Sequence, residues 1–412
     1  MRRLVANHAC AFSVALAAIL VPCAITASAL AHLVHSAASG QQILALIDSN
    51  STYPSSLTRL KMPSLRPQGP TVSVPEYHDA WAFSPNAGEL ALARGGQGVG
   101  IEVVDLRRMR LTRGFRTGIA AEALAWFPSD RLVASLQRGG TVVINARTGR
   151  VLRRWPELSF PDASASTKSK LVLLIPPLRS VSPYMPLARV AGHPLLAVID
   201  SKGKLRTSLL RRITLGVQHR AGLVFPDHAA LAVDPRGQVA VVFAAGSPVA
   251  MIDLRNMHVE YHRVTALTTP KARSCRLTLA YEREALWLSE QRVVITGRNL
   301  CSPWRPGSQR PAGALELNTS TWRVRSLDPT ATGAVEAQDR LLVYGARQAG
   351  LRIYGRGRVR VLFPRRTVIG AFSASPYILV RTAAGTYTLN GPTAQPRLVH
   401  DAPVIVDVFE PR

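Results

Sequence analysis

The sequence predicts an all-β protein, a β-propeller of about seven four-stranded blades that follows an N-terminal signal or anchor segment. Three observations predict it. Short apolar runs bounded by Pro, Gly and Asx turns recur from about residue 71 to the C-terminus. One hairpin type, whose leading strand ends in Asp or Asn, comes back at blade-like intervals. The 412 residues, 47% hydrophobic and 18% charged, have a globular composition but exceed the usual size of one core, the standing exception being repeat folds.

Taken in chain order, Arg2 and Arg3 precede a stretch, Ala9 to Ala31, without a charged residue, closing on Ala27-Ser28-Ala29 and Ala29-Leu30-Ala31. That is the layout of a secretory signal, and residues 1–31 are read as one, or as an uncleaved membrane anchor with the arginines held inside. Lipidation at Cys23 is disfavoured because Pro22 stands where such sites want a small residue. Residues 32–70 read as a linker: a short helix is predicted over Gln41–Asp48, and residues 51–70 are rich in Ser and Pro. Residues 71–412 are assigned to the propeller.

The recurrent hairpin runs Ile101–Asp105 to Arg110–Thr112, Thr141–Asn145 to Arg147–Leu152, Leu196–Asp200 to Ser201–Leu205, Val249–Asp253 to Leu254–Met257 and Ala314–Asn318 to Thr319–Val324. A sixth, Leu351–Tyr354 to Gly355–Gly357, lacks the Asx; a seventh is Gly385–Asn390 before Gly391-Pro392. Asx suits that position because its short side chain bonds the backbone just ahead and tolerates tight-turn conformations. The markers at 105, 145, 200, 253, 318 and 390 average about 47 residues per unit when the last gap is counted as two, within blade range. The preceding hairpins agree, as in Ala80–Asn86 before Glu89–Ala93 and Ala230–Gly237 before Gln238–Phe243. Their apolar runs fit strands packed between neighbouring blades, and the basic fourth strands fit outer edges, where charge discourages edge-to-edge pairing.

The pieces Phe83-Ser84-Pro85-Asn86, Val233-Asp234-Pro235-Arg236-Gly237 and Asn145-Ala146-Arg147-Thr148-Gly149-Arg150-Val151 resemble the WD40-like and YVTN-type propeller repeats of bacterial exported proteins, over roughly residues 71–405. They specify turns and packing, and the Gly-His…Trp-Asp signature of typical WD40 repeats is missing. The resemblance implies a propeller used mostly for binding and carries over no functional residue.

The formal net charge is +26, built from 45 arginines and six lysines against 25 acids. The excess fits attraction to a polyanion such as anionic lipid or a wall polymer, or a solvated basic surface in an arginine-biased composition. Arg356, Arg358 and Arg360 alternate on one predicted outer strand and are the candidate polyanion contacts. Aromatic residues do not interleave with the basic clusters at the spacing of single-strand binders, so nucleic acid is disfavoured. Once Cys10 and Cys23 are set aside with the signal, Cys275 and Cys301 remain as an even pair across a predicted hairpin, and a disulfide is expected in an oxidising compartment.

Few residues point to a reaction. There is no G-x-S-x-G elbow and no calcium loop. Gly95–Gly100 is glycine-rich but joins two strands, without the helix a pyrophosphate site needs. His258, Glu260 and His262 share one strand face and are the candidate metal ligands, although same-face neighbours stand about 7 Å apart, wide for one ion. Asp234 and Glu336 are acids of the first strands, and Asp234, before a proline, reads as a turn residue. The expectation is an exported, non-catalytic propeller, without a cofactor, that binds a protein or envelope polymer. The alternative is a lactonase-like propeller hydrolase with a metal at the central channel.

Overall fold

In the computed structural model the described residues are 41–48, 54–75, 77–94, 100–118, 120–179, 188–220, 223–268, 275, 278–289, 291–301, 309–345, 350–355 and 357–410. The segment read as a signal or anchor, residues 302–308 and Arg356 lie outside them. Gln42–Arg412 forms a single compact unit.

Eight antiparallel four-stranded sheets make the unit, where the repeat count predicts about seven. Blade 2 is Tyr77–Phe83, Glu89–Arg94, Gly100–Asp105 and Arg110–Arg116, and blade 3 is Ala121–Phe127, Arg131–Leu136, Thr141–Asn145 and Val151–Trp155. Blade 4 is Ala163–Ser166, Lys170–Ile175, Leu195–Asp200 and Leu205–Leu209; blade 5 is Ala230–Val233, Val239–Phe243, Val249–Asp253 and Val259–His262. Blade 6 is Ala280–Ser289, Arg292–Leu300, Ala314–Asn318 and Val324–Asp328, with Gln309–Pro311 added beside its second strand. Gly333–Ala337, Arg340–Gly345, Gly350–Tyr354 and Val359–Leu362 form blade 7, and Val368–Ala374, Tyr377–Thr382, Gly385–Asn390 and Arg397–Leu398 form blade 8.

The additional blade, blade 1, is built from both ends of the unit. The inner strand Val404–Phe409 pairs with Gln42–Asp48, which continues to Pro54–Lys61 and the outer strand Arg66–Pro75. Within the described residues, the short helix predicted over Gln41–Asp48 and the later part of the linker read over residues 32–70 are therefore corrected to strands. An apolar run as short as Gln42–Asp48 does not by itself separate helix from strand; pairing with a segment some 360 residues away decides it. The prolines that suggested a stalk sit at strand ends or on the outer strand (Pro67, Pro70), where a missing N–H costs no ladder bond.

A four-stranded sheet buries nothing alone, so the hydrophobic cores lie between blades. Eight such cores follow the ring: Leu92 and Val104 with Leu46 and Phe409 between blades 1 and 2, Ile101 with Ile144 between 2 and 3, and Leu379 with Ile43 and Ile405 between 8 and 1. The same arrangement fills every other interface. Small inner-strand residues such as Ala80, Ala82, Ala123, Ala125, Ala230 and Ala232 are buried at these cores, fitting a ring that narrows toward its axis.

Antiparallel connectivity puts the first-to-second and third-to-fourth turns on one face of the ring and the remaining connections on the other. The Asx markers behave as predicted on the first face. Asn145 accepts from the amides of Arg147 and Thr148 at 3.0 Å, Asp200 from Lys202 and Lys204 at 2.9 Å, and Asn318 from Ser320 and Thr321 at 3.0 and 2.9 Å. Asp234 is buried in its turn and accepts from the Gln238 and Val239 amides at 2.5 and 2.6 Å. In blade 7 the position carries Tyr354, whose hydroxyl donates instead to Leu327 O of blade 6 at 2.9 Å.

The same face shows what part of the arginine excess does. Arg131 and Arg153 of blade 3 donate to Ser201 O and Gly203 O in the blade 4 turn at 3.0 and 2.8 Å, and Arg206 of blade 4 donates to Arg255 O of blade 5. Arg360, proposed from sequence as a polyanion contact, donates to Pro392 O and Ala394 O of blade 8 at 2.9 and 2.8 Å. Basic side chains of one blade thus hold the turn of the next. On this outer strand Val359 and Val361 are exposed, Arg360 is half-buried and engaged in this inter-blade contact, and Arg358 is exposed. Substituting Arg360→Met removes two charge-assisted bonds and is expected to lower stability by about 1–3 kcal/mol, read as a fall in the urea midpoint at unchanged slope.

Candidate functional site

The two faces differ in elaboration. Among the described residues, the hairpin Leu178–Arg179 with Ala188–Arg189, the hairpin Val217–Arg220 with Leu223–Pro226, the helical turn Thr265–Thr268, the added strand Gln309–Pro311 and the disulfide all belong to the connections opposite the Asx turns, in blades 4 to 6. The disulfide joins Cys275, in the connection leading to blade 6, to Cys301 at the end of that blade's second strand, with Cα atoms 5.4 Å apart.

Beneath these insertions the inner strands of blades 4, 5 and 6 begin with a polar cluster. Asp162 immediately precedes the inner strand of blade 4, and its side chain is fully buried. Its Oδ2 accepts from the Ala229 amide at 2.7 Å, and its Oδ1 accepts from Arg189 Nη1 at 2.7 Å and lies 2.8 Å from His228 Nδ1. Next to it, His228 bridges to blade 6: its amide donates to Tyr281 O at 2.7 Å, and its carbonyl accepts from the Arg283 amide at 3.1 Å. Asp227 accepts from the Tyr281 and Gly216 amides at 3.0 and 3.1 Å. Arg283 donates to Glu282 O, Arg298 O and Asn299 Oδ1 at 2.9, 3.1 and 3.0 Å. Arg298 pairs with Glu282 at 3.0 Å. Strand alternation turns Tyr281 and Arg283 toward blade 5, with Ala285 and Trp287, and Glu282 and Glu284 toward blade 7, with Leu286 and Leu288.

Burial sets the electrostatics. Desolvation pushes the Asp227 carboxyl above its ordinary value against the lowering effect of the two amides, and it pulls the Arg283 guanidinium down. Glu284 is exposed on its strand, yet desolvation by its surroundings raises its carboxyl against the lowering charge of Arg298, with the Glu282 charge adding to the rise. The hydroxyl of Tyr344 is raised by burial and then by the Glu284 charge. Its ring occupies the space over Gly333, where a Cβ would lie 2.6 Å from it. Because the folded state holds the Glu284 proton more tightly than the unfolded chain, this group's contribution to stability falls as pH rises through its folded pKa. Glu284→Gln is therefore expected to raise the urea midpoint at pH 7, with the gain shrinking as pH is lowered toward 4.

The chemistry available is specific. His228 Nδ1 sits between the Asp162 carboxylate, which accepts, and the Arg189 guanidinium, 3.2 Å away, which only donates. The His228 side chain is 38% exposed. The remaining members satisfy one another, so the cluster is a rigid floor under the insertions.

The residues singled out by sequence lie elsewhere. His258, Glu260 and His262 share a face of the outer strand of blade 5: Glu260 stands 3.9 Å from His258 Nε2 and 3.5 Å from His262 Nε2. His262 is taken up by stacking on Trp322 of blade 6 with ring centroids 3.5 Å apart, and among the described residues no group of three His, Cys, Asp or Glu side chains is arranged to hold a metal. Glu336 is exposed on the inner strand of blade 7, its carboxyl raised by partial desolvation from its surroundings and by the Asp339 charge. Asp162, Asp227, His228 and Arg283 were missed. The residues just ahead of an inner strand carry the available signal, as in Asp227-His228 before Ala230–Val233.

No protein-family model matches the chain, and no curated protein matches it. Among solved structures, it is similar to a dihydro-heme d1 dehydrogenase, NirN, in complex with DHE, at a TM-score of 0.52 and 11% identity over 89% of this chain and 74% of that one. BamB from Moraxella catarrhalis aligns at a TM-score of 0.45 and 8% identity, over 84% and 94% of the two chains. The WD40 domain of Neurospora crassa Pan2 aligns at 0.38 and 14%, over 59% and 69%. At such identities the likeness is one of fold, a β-propeller.

Proposed function

We propose that this protein is an exported, non-catalytic β-propeller that binds a protein partner at the cell envelope through the face carrying the insertions of blades 4 to 6. The observation that supports the reading is the one-sidedness of the molecule. One face is closed by tight Asx turns, while the other concentrates its insertions on three adjacent blades over a preorganised polar floor. Binding residues are typically carried on such loops over a rigid scaffold. Export is supported by the uncharged Ala9–Ala31 segment and by the Cys275–Cys301 disulfide.

Photo-crosslinking amino acids at the exposed positions Arg179 and Gln309 on the insertion face are expected to trap a defined partner in the native host, whereas the same groups at Arg107 and Lys202 on the turn face trap none. Equal trapping from both faces, or trapping only from the turns, would contradict the assignment. Fusion of residues 1–31 to a reporter active only outside the cytoplasm tests export separately.

One observation favours a catalytic reading: the Asp162–His228 pair, a buried carboxylate at 2.8 Å from a partly exposed imidazole. If that reading holds, His228→Gln abolishes turnover of an ester or lactone panel while the fold persists.

A further inference from the structure

The chain uses arginine almost everywhere it needs a cation, yet its lysines are confined to one place. Five of the six lie among the described residues, and all five stand in or beside the turns of the Asx face; the sixth, Lys271, lies outside the described residues. Lys168, Lys170, Lys202 and Lys204 belong to the two turns of blade 4, and Lys61 ends the third strand of blade 1. Lys170 donates to Gly237 O of blade 5, whereas the other four are exposed. An arginine-biased composition explains arginine anywhere on the surface, but not lysines gathered on one face. Exposed arginines of the adjacent turns extend the patch, Arg107 and Arg108 in blade 2 and Arg147 and Arg150 in blade 3. The acids of these turns are fewer and engaged: Asp105 accepts the Arg108 amide and Asp200 those of Lys202 and Lys204, all at 2.9 Å, and Asp130 pairs with Arg147 at 2.6 Å. The side chains of Arg107, Arg150, Lys202 and Lys204 have no hydrogen-bond or ion-pair partner among the described residues. The chain also enters the ring on this face. Gln42, which opens the second strand of blade 1, pairs with Lys61, and residues 32–41, at most about 36 Å of extended chain, separate it from the uncharged segment ending at Ala31.

We propose that the Asx-turn face docks on an anionic lipid surface, with the lysines of blades 1 and 4 and the arginines of blades 2 and 3 set over phospholipid headgroups. A lysine ammonium is a compact point charge on a flexible stem and meets a phosphate without demanding a fixed bidentate geometry, which suits a fluid array of headgroups. Each cation held near such a surface strengthens binding about fivefold, so charges spread over four blades add up without any single pocket. The turns at residues 106–109, 146–150 and 201–204 contain no aromatic residue on which the bases of a nucleic acid strand could stack. Membrane attachment is firm when two weak signals act together, and a basic face joined by a short tether to an apolar segment supplies two. Docking by this face leaves the insertions of blades 4 to 6 free, and it does not depend on what they bind.

Lysine acylation read by mass spectrometry tests this on the purified full chain, mixed with vesicles of phosphatidylcholine alone or with one third phosphatidylglycerol. Acylation of Lys168, Lys202 and Lys204 is expected to slow at least about tenfold on the anionic vesicles relative to the neutral ones, and to recover when added salt screens the charges. Any contribution of the apolar segment is common to both vesicles and cancels in the ratio. The double variant Arg107→Glu, Arg150→Glu, which keeps all three reporter lysines, is expected to lose at least about fivefold of that protection. The matched variant Arg211→Glu, Arg220→Glu, at exposed positions of the insertion face, keeps it, and circular dichroism reports the fold of both. Equal acylation on the two vesicles, protection indifferent to salt, no loss in the turn-face variant, or equal loss in both variants would each overturn the proposal. Stronger protection by soluble polyphosphate than by anionic vesicles at equal phosphate would assign the face to a polymer and overturn it as well.

Discussion

Truncation after Pro403 is expected to abolish the folded ring. It removes Val404–Phe409, the inner strand of blade 1, and with it Ile405 and Phe409, which are 1% and 2% exposed. Those side chains complete two inter-blade cores at once, between blades 8 and 1 and between blades 1 and 2, where Phe409 also meets Trp81 edge-on at 5.3 Å. Loss of one buried Phe and one buried Ile costs on the order of 3–5 and 2–5 kcal/mol. The unpaired edge of Gln42–Asp48 adds to that, against a typical total stability of about 5–15 kcal/mol. The truncated chain should be insoluble or lack a cooperative urea transition. A soluble product with an unchanged midpoint would mean that the ring does not depend on its terminal strand.

Asp162→Ala is expected to be the most damaging single substitution in the polar cluster. The carboxylate is fully buried and holds the Ala229 amide, Arg189 and His228 together. Its removal strands a buried amide and a guanidinium, which costs about 3–5 kcal/mol where one member of a buried pair is deleted. Asp162→Asn should cost less, because it keeps an acceptor for Ala229. His228→Ala should cost less still, since that side chain is partly in water. Urea midpoints order the three; a loss under about 1 kcal/mol for Asp162→Ala would show that the cluster does not hold the blades together.

The parts of the fold legible in the sequence are those specified over a few residues. Asn145 and Asp200 announced their turns because an Asx side chain bonds amides two to four residues ahead, and the structure places it there. Blade 1 was illegible because its strands are joined across nearly the whole chain, and because Pro67 and Pro70 on its outer edge look like a stalk until the neighbouring strand is known. The candidate site was hidden for a related reason. Asp162 and Asp227 lie in separate connections and Arg283 on the inner strand of blade 6, and only the ring brings them together. His258, Glu260 and His262 were visible because they are close in sequence, yet packing against Trp322 claims His262. The arginine excess has part of its explanation in the carbonyls that Arg131, Arg153, Arg206 and Arg360 reach in the next blade.

Hydrogen exchange followed by mass spectrometry on the full chain tests the closed eight-bladed ring most directly. Amides of Gln42–Asp48 and Val404–Phe409 should be protected together and exchange only with the central strands of the other blades. Exchange of residues 42–75 at the rate of an unstructured linker, while residues 77–398 stay protected, would contradict closure by strand pairing between the two ends.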